Sequence, residues 1–394
     1  MHSRYPADSA KHDCASARPE GKKSMKYLKE LEGVRGIMAL WVVIAHVLGA
    51  LPAIPGPVPN GIYSVYPVYV FIILSGFVIF SMLDREKVPY GRYLLARALR
   101  IFPVYWLVLA LSVLSLTFAA DVLRASPIGF STEGRLFIID VAKSNLAAHV
   151  LLHIPLLQGL PPTVILPYSA LTIVGQAWSL TLEWQFYIVA PLLFWMARSI
   201  NKKKAQLTVL AVSSVCWLLT PYMDGGFIGS YLPMFMVGFL SYFFYRNVVP
   251  RLSKEWLGGI AAVSFAGSLI FLKEYAVPVA IWVALLYFIC ADSRTENGNE
   301  VARLLRGRAL TYLGKISYPL FLGHMQVLFG CMWLANKVGL QGVPRIVLLP
   351  VLTIGAAILF ADFVHRVVER PFHEMGRGLA KRAPAKAPRA DGLA

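Results

Sequence analysis

The chain has 394 residues, 57% of them hydrophobic and only 15% charged, with a mean hydropathy of +0.60. Soluble domains carry about 25% charged and 45–50% apolar residues, so this composition excludes a water-soluble core. The net charge of +17 does not mark a nucleic-acid binder, because Lys and Arg fall between apolar stretches and not along one exposed face.

Residues 1–26 are polar and basic, contain Pro6 and Pro19, and have no apolar core; they read as a disordered cytoplasmic tail, not as a signal peptide or a span. Helices are expected at 34–52, 66–83, 101–120, 179–198, 206–223, 227–245, 256–272, 275–291, 316–337 and 344–366. At roughly 20 residues per crossing, about ten spans fill the length as one all-α polytopic membrane domain. An even number puts both termini on one side. Only 6 of the 38 basic residues (Arg124, Arg135, Lys143, Lys273, Lys337 and Arg345) then lie opposite, so the positive-inside rule makes the terminal side cytoplasmic. Residues 146–177 are apolar but are interrupted by His149, His153, Pro155, Pro161, Pro162 and Pro167, so a re-entrant or surface-lying element beside the site is expected there, with a pair of short spans as the alternative. Residues 376–394 alternate Lys, Arg, Ala and Pro and read as a second disordered tail, suited to anionic lipid. Cys14, Cys216, Cys290 and Cys331 are scattered and suggest neither disulfides nor zinc.

Ionisable residues within apolar spans are costly and point to a site. Arg35 and His46 are eleven residues apart, about 20° from a whole number of helical turns and roughly 16 Å along the axis, so they share a face at different depths. Arg97 and Arg100, expected on the first turn of the third span before Pro103, are neighbours able to grip a phosphate, or simply topology determinants. Ser179, Glu183 and Tyr187 form one polar stripe. Glu183 needs a cationic partner or a proton, and pairing with His46 would equip the site for general-base catalysis; a structural ion pair is the plainer reading. His324 lies seven residues after Ser317 on one face and could bond substrate or a neighbouring helix. His149 and His153 have i, i+4 spacing but no evident third ligand, so no metal is expected. Asp362, His365, Arg366 and Glu369 read as mutual pairing at the inner boundary.

These residues stand in the stretches LEGVRGIMALWVVIAH (31–46), VFIILSGFVIF (70–80), RYLLARALRIFPVYW (92–106), AWSLTLEWQFYIVAPLL (177–193), YLPMFMVGFL (231–240), ISYPLFLGHMQVL (316–328) and VERPF (368–372). In content and order the set resembles the acyltransferase 3 family of bacterial integral-membrane O-acyltransferases, with residues 27–375 as the transmembrane domain. The resemblance implies transfer of an acyl group, acetyl above all, from cytoplasmic acyl-coenzyme A to a hydroxyl of a cell-surface or lipid-linked glycan, or of a small acceptor, at the bacterial inner membrane. It implies His46 as the catalytic residue with Glu183 as its partner, Arg35, Arg97 and Arg100 on the donor, and Ser179, Tyr187, Trp184 and His324 around the substrate. Glu32 and Trp184 depart from the common pattern, where Asp and a second Glu are usual; Trp184 bears on the acceptor pocket. No SGNH-type esterase domain follows the membrane part, as expected of a stand-alone member. A glycan or lipid-precursor transporter would also carry polar midplane residues, but inverted repeats and paired broken helices are not evident.

Overall fold

The apolar runs form long helices, four of which continue through a proline, at Pro103, Pro191, Pro233 and Pro350. The computed structural model describes residues 28–52, 64–85, 88–197, 202–292 and 299–381, and among these it contains no β-strand, only an isolated bridge between Pro162 and Met223. Ten long helices occupy the expected positions: α1 (Glu30–Gly49), α2 (Val65–Arg85), α3 (Tyr90–Leu114), α7 (Trp178–Ala197), α8 (Lys202–Leu219), α9 (Ile228–Phe243), α10 (Lys254–Phe271), α11 (Ala276–Asp292), α14 (Ser317–Lys337) and α15 (Gly342–Val364). The connections hold α4 (Leu116–Ala125), α5 (Thr132–Ser144), α6 (Leu146–His153), α12 (Glu300–Leu305), α13 (Arg308–Lys315) and α16 (Arg370–Lys381).

By length and apolarity alone, seven helical stretches can cross a membrane, and eight if the bent α5/α6 pair counts as one span. The long helices that fall short are the polar ones. α7 carries Ser179, Thr181, Glu183 and Gln185, α8 opens on Lys202–Lys204, and α10 opens on Lys254 and Glu255. The chain is an all-α, multi-pass membrane protein.

α1 is central, packed against α2, α13, α14 and α15, with Val34, Val42, Ile73 and Phe77 fully buried around it. Lipid is as apolar as Leu, so helices in a bilayer associate through close packing and polar contacts. The α2–α9 crossing depends on two glycines. A Cβ on Gly238 would stand 1.9 Å from the Ile73 carbonyl oxygen, and one on Gly76 would stand 2.3 Å from that of Phe235. Ion pairs secure the basic end of the bundle, called here the inner end. Arg306 donates to Glu30 of α1 at 2.7 Å and to Asp292 of α11 at 2.5 and 3.1 Å. The bonds to Asp292, and then to Glu30, push the Arg306 pKa above its ordinary value. Asp84 pairs with Arg246 and accepts a hydrogen bond from Tyr242 at 2.6 Å.

Two sequence expectations change. The third helix begins at Tyr90, directly after Pro89, and runs through Pro103, so Arg97 and Arg100 lie two to three turns inside it and not on its first turn. Neighbouring helices make an internal proline tolerable at membrane depth. The basic segment from Gly376 continues the helix α16 to Lys381 and packs on α3, where a Cβ on Gly376 would meet Ala96 at 3.3 Å. The expected tails at 1–26 and 382–394 lie outside the described residues, as does Cys14; Cys216, Cys290 and Cys331 are free thiols. Residues 146–177 form no straight span, in line with the interruptions in their sequence. α5 and α6 meet at 95°, and the irregular chain after α6 places Leu156, Tyr168 and Ile173 at positive φ. Within it, Ser169 Oγ and the Ala170 amide both donate to Asp224, at 3.0 and 2.8 Å.

Gly238→Val is expected to destabilise the protein by about 3 kcal/mol, the upper end of overpacking costs, whereas Gly267→Val, where a Cβ meets nothing within 4 Å, should be tolerated. Thermal unfolding of the two variants in detergent checks this; equal midpoints would contradict the close-packing account.

Candidate active site

His46 lies late in α1, half-buried. Its Nδ1 is 2.9 Å from the Val42 carbonyl oxygen. A carbonyl only accepts, so Nδ1 carries the proton, and in the neutral ring Nε2 is left with the free lone pair. The ring of His324 stands beside it, with centroids 5.0 Å apart. His324 directs Nδ1–H to its own helix, at the Phe321 carbonyl oxygen, 2.7 Å away, while its buried Nε2 has no hydrogen-bond partner. Two adjacent imidazoles thus each keep one basic nitrogen.

His46 borders a cavity of about 480 Å³ at the outer end of the bundle. The wall includes Ser112, Ser115, Ser131, Arg135, Gln176, Trp178 and Gln326, and the irregular segment supplies Leu171, Ile173 and Gly175. That segment is therefore adjacent to the site. Arg135 donates Nη2–H to the His46 carbonyl oxygen at 2.7 Å, and Ser131 donates to that of Gly49 at 2.7 Å, so α5 caps the last turn of α1.

A second, smaller cavity of about 80 Å³ lies toward the inner end, lined by Arg35, Arg100, Ser179, Glu183, Ser317 and Tyr318. Arg35 lines a further inner recess with Glu32 and Arg85. Phe321 belongs to the walls of both the inner and the outer cavity and packs against Phe71 with centroids 6.1 Å apart. Arg35 and His46 thus occupy opposite ends of one helix, each beside its own cavity.

The polar stripe of α7 meets the arginines of α3. Tyr187, buried, donates its hydroxyl to Glu183, and the Arg97 guanidinium carbon lies 5.8 Å from the Tyr187 ring centroid. Arg97 Nε is buried without a hydrogen-bond partner. Arg100 is within electrostatic reach of Glu183, Tyr187 and Glu369. Glu183 therefore sits among cations and a phenol. Among the described residues, no hydrogen bond or ion pair joins Glu183 to His46; the Val42 carbonyl orients the imidazole instead. Trp184 packs edge-on against Phe102 at 5.0 Å and lines neither cavity.

The remaining candidates hold the frame. His149 is 3.0 Å from the Thr172 hydroxyl, and His153 contacts the carbonyls of His149 and Thr172, each at 2.8 Å, which pins α6 to the irregular segment. Among the described residues, no group of three or more His, Cys, Asp or Glu could hold a metal. Arg366 pairs with Asp362 at 2.9 Å and His365 with Glu369 at 2.7 Å.

Sequence reasoning missed Arg135, Gln176 and Gln326 as site residues. Arg135 was counted as an outer-loop charge, yet it borders the His46 cavity; Arg345, counted likewise, is buried and donates to Asn336 at 2.8 Å. The signal for the glutamines is faint: uncharged amides on otherwise apolar helix faces. Gln326 donates to Ser112 at 2.6 Å and accepts from Ser115 at 3.0 Å.

Compared with known proteins, residues 28–362 match the family model described as an acyltransferase domain. No curated protein and no solved structure matches the chain. With nearly the whole membrane bundle matched, histidine and arginines included, the chain belongs to the acyltransferase 3 family and is a membrane acyltransferase.

Proposed function

We propose that the protein moves an acyl group, acetyl in the simplest case, from cytoplasmic acyl-coenzyme A to a hydroxyl of a cell-surface or lipid-linked glycan, or of a small acceptor, at the bacterial inner membrane. One observation carries this reading: His46 stands at the wall of a roomy outer cavity, while Arg35, Arg100 and Glu183 line a separate inner one, and Phe321 is common to both. A donor with several phosphates and a long flexible arm suits that division. Its nucleotide would rest among the guanidiniums at the inner end, and its thioester would reach past Phe321 toward His46.

The chemistry follows from the tautomer. His46 Nε2 takes the proton from the acceptor hydroxyl as the oxygen attacks the thioester carbonyl carbon. The carbon–sulfur bond breaks, the new ester stays with the acceptor, and the imidazolium returns the proton to the departing thiolate. The Val42 carbonyl keeps the ring in register throughout and stabilises its charged form. His324 lines neither cavity, but its unpartnered Nε2 beside the reacting ring would share the proton with His46. Glu183 acts one step away: with Tyr187 it partly offsets the charge of Arg97 and Arg100, so that the arginines are ordered before donor arrives.

His46→Ala should lower acyl transfer by about 10²–10⁴-fold, the usual worth of a general base, while acetyl-coenzyme A still binds. Thiol release from acetyl-coenzyme A and calorimetric titration on the same preparation provide the two readings; near wild-type turnover would remove His46 from the mechanism, and no thiol release by the wild type with any hydroxyl acceptor would favour transport over catalysis.

Arg97→Ala and Arg100→Ala should each weaken coenzyme A binding about tenfold to a hundredfold, since a charge-assisted hydrogen bond contributes roughly 1.5–3 kcal/mol. Lys at either position should recover only part, because an ammonium lacks the planar fork. Titration with coenzyme A and its 3′-dephospho form measures both effects, and unchanged affinity in folded Ala variants would leave these arginines with a topological role alone.

A further inference from the structure

Arg135 has more positive charge than its surroundings balance. Its Nη2 bonds a backbone carbonyl, its Nη1 is buried with no hydrogen-bond partner, and among the described residues no carboxylate pairs with it. Capping the end of α1 explains one nitrogen and leaves the charge uncompensated. A neutral donor would cap that carbonyl as well, and Ser131 already does so at Gly49.

The cavity it borders has the complementary lack. Arg135 is the one formally charged residue in its described wall; the other polar residues there are His46, serines and glutamines, and the apolar ones include Trp178 and Phe130. An anionic group entering this space therefore meets a guanidinium and, among the described wall residues, no competing carboxylate, whereas a neutral occupant leaves the cation without an anion in a low-dielectric site. The volume, about 480 Å³, falls within the range of small-molecule sites. Serine hydroxyls and amides beside an indole suit a polyhydroxylated ring. Because the same guanidinium is bonded to the backbone of His46, an anion held by it is fixed relative to the reacting imidazole.

Resting on the acyl-transfer reading above, we propose that the acceptor carries an anionic group, a carboxylate or a phosphate, on the same sugar-like unit as the hydroxyl to be acylated, and that Arg135 binds that group. Arg135 is then the residue that selects acidic over neutral acceptors. Arg would be favoured over Lys here because its planar fork can bond a carbonyl and an anion together.

The test is a binding comparison on the full chain in detergent, with methyl glucuronide, glucose 6-phosphate and methyl glucoside as probes. The wild type should bind at least one anionic probe roughly tenfold or more tightly than methyl glucoside, and which of the two binds separates carboxylate from phosphate. Arg135→Gln should erase that preference, Arg135→Lys should keep part of it, and both variants should titrate acetyl-coenzyme A like the wild type, which also reports on folding. Equal binding of all three probes by the wild type, binding of none, or a preference that survives in Arg135→Gln would overturn the proposal. Failure of the wild type to bind acetyl-coenzyme A would instead count against the acyl-transfer reading and leave the probe comparison readable.

Discussion

The hydrogen bond from His46 Nδ1–H to the Val42 carbonyl is the contact on which the site depends. An imidazole in a bundle of apolar helices has little water to fix its tautomer, and a ring free to place its proton on either nitrogen offers a basic Nε2 only part of the time. The carbonyl four residues earlier is already spoken for within the helix, but a carbonyl has two lone pairs, so α1 can serve its own ladder and the ring together. The rest of the architecture holds this turn in place: α13 and α14 pack along α1, Arg306 ties its first turn to α11, and Arg135 and Ser131 cap its last.

Polar residues at membrane depth must be solvated by protein, and here they are solvated in two groups. Arg97 and Arg100 face Glu183 and Tyr187 between α3 and α7. His46, His324 and Arg135 cluster around the outer cavity without a carboxylate among its described wall residues. Each group keeps an excess of positive charge, two guanidiniums against one carboxylate in the first and one guanidinium against none in the second. Those excesses fit a binding site for a polyanionic donor and a separate site whose missing anion comes with the acceptor.

The fold was legible because hydrophobic runs of about twenty residues leave few alternatives in lipid, where backbone groups must bond internally. The ten long helices stand close to where apolarity and punctuation put them. Boundaries suffered where a span extends beyond its apolar window: α3 gains its first turns from Tyr90 through Arg100, a stretch whose charges look like a loop until α16 is packed against them. Spacing within one helix was a reliable guide, as the Ser179, Glu183 and Tyr187 stripe illustrates. Pairing between helices was not. Glu183 and His46 match by chemistry, yet the carboxylate lines the inner cavity with Arg100 and accepts from Tyr187, and no pattern within either helix encodes which neighbour it meets. Arg135 escaped for a related reason, since a charge in a short outer segment looks solvated until the segment folds back over α1.

The central claim is that donor enters from the basic end and reacts at His46 across the Phe321 constriction. Sealed vesicles of known orientation test it most directly, with acetyl-coenzyme A, which does not cross a bilayer unaided, supplied to the exterior alone and acceptor present on both sides. Inside-out vesicles, which expose the basic end, should release free thiol, and right-side-out vesicles should not. Thiol release confined to right-side-out vesicles, or equal in the two, would contradict the account.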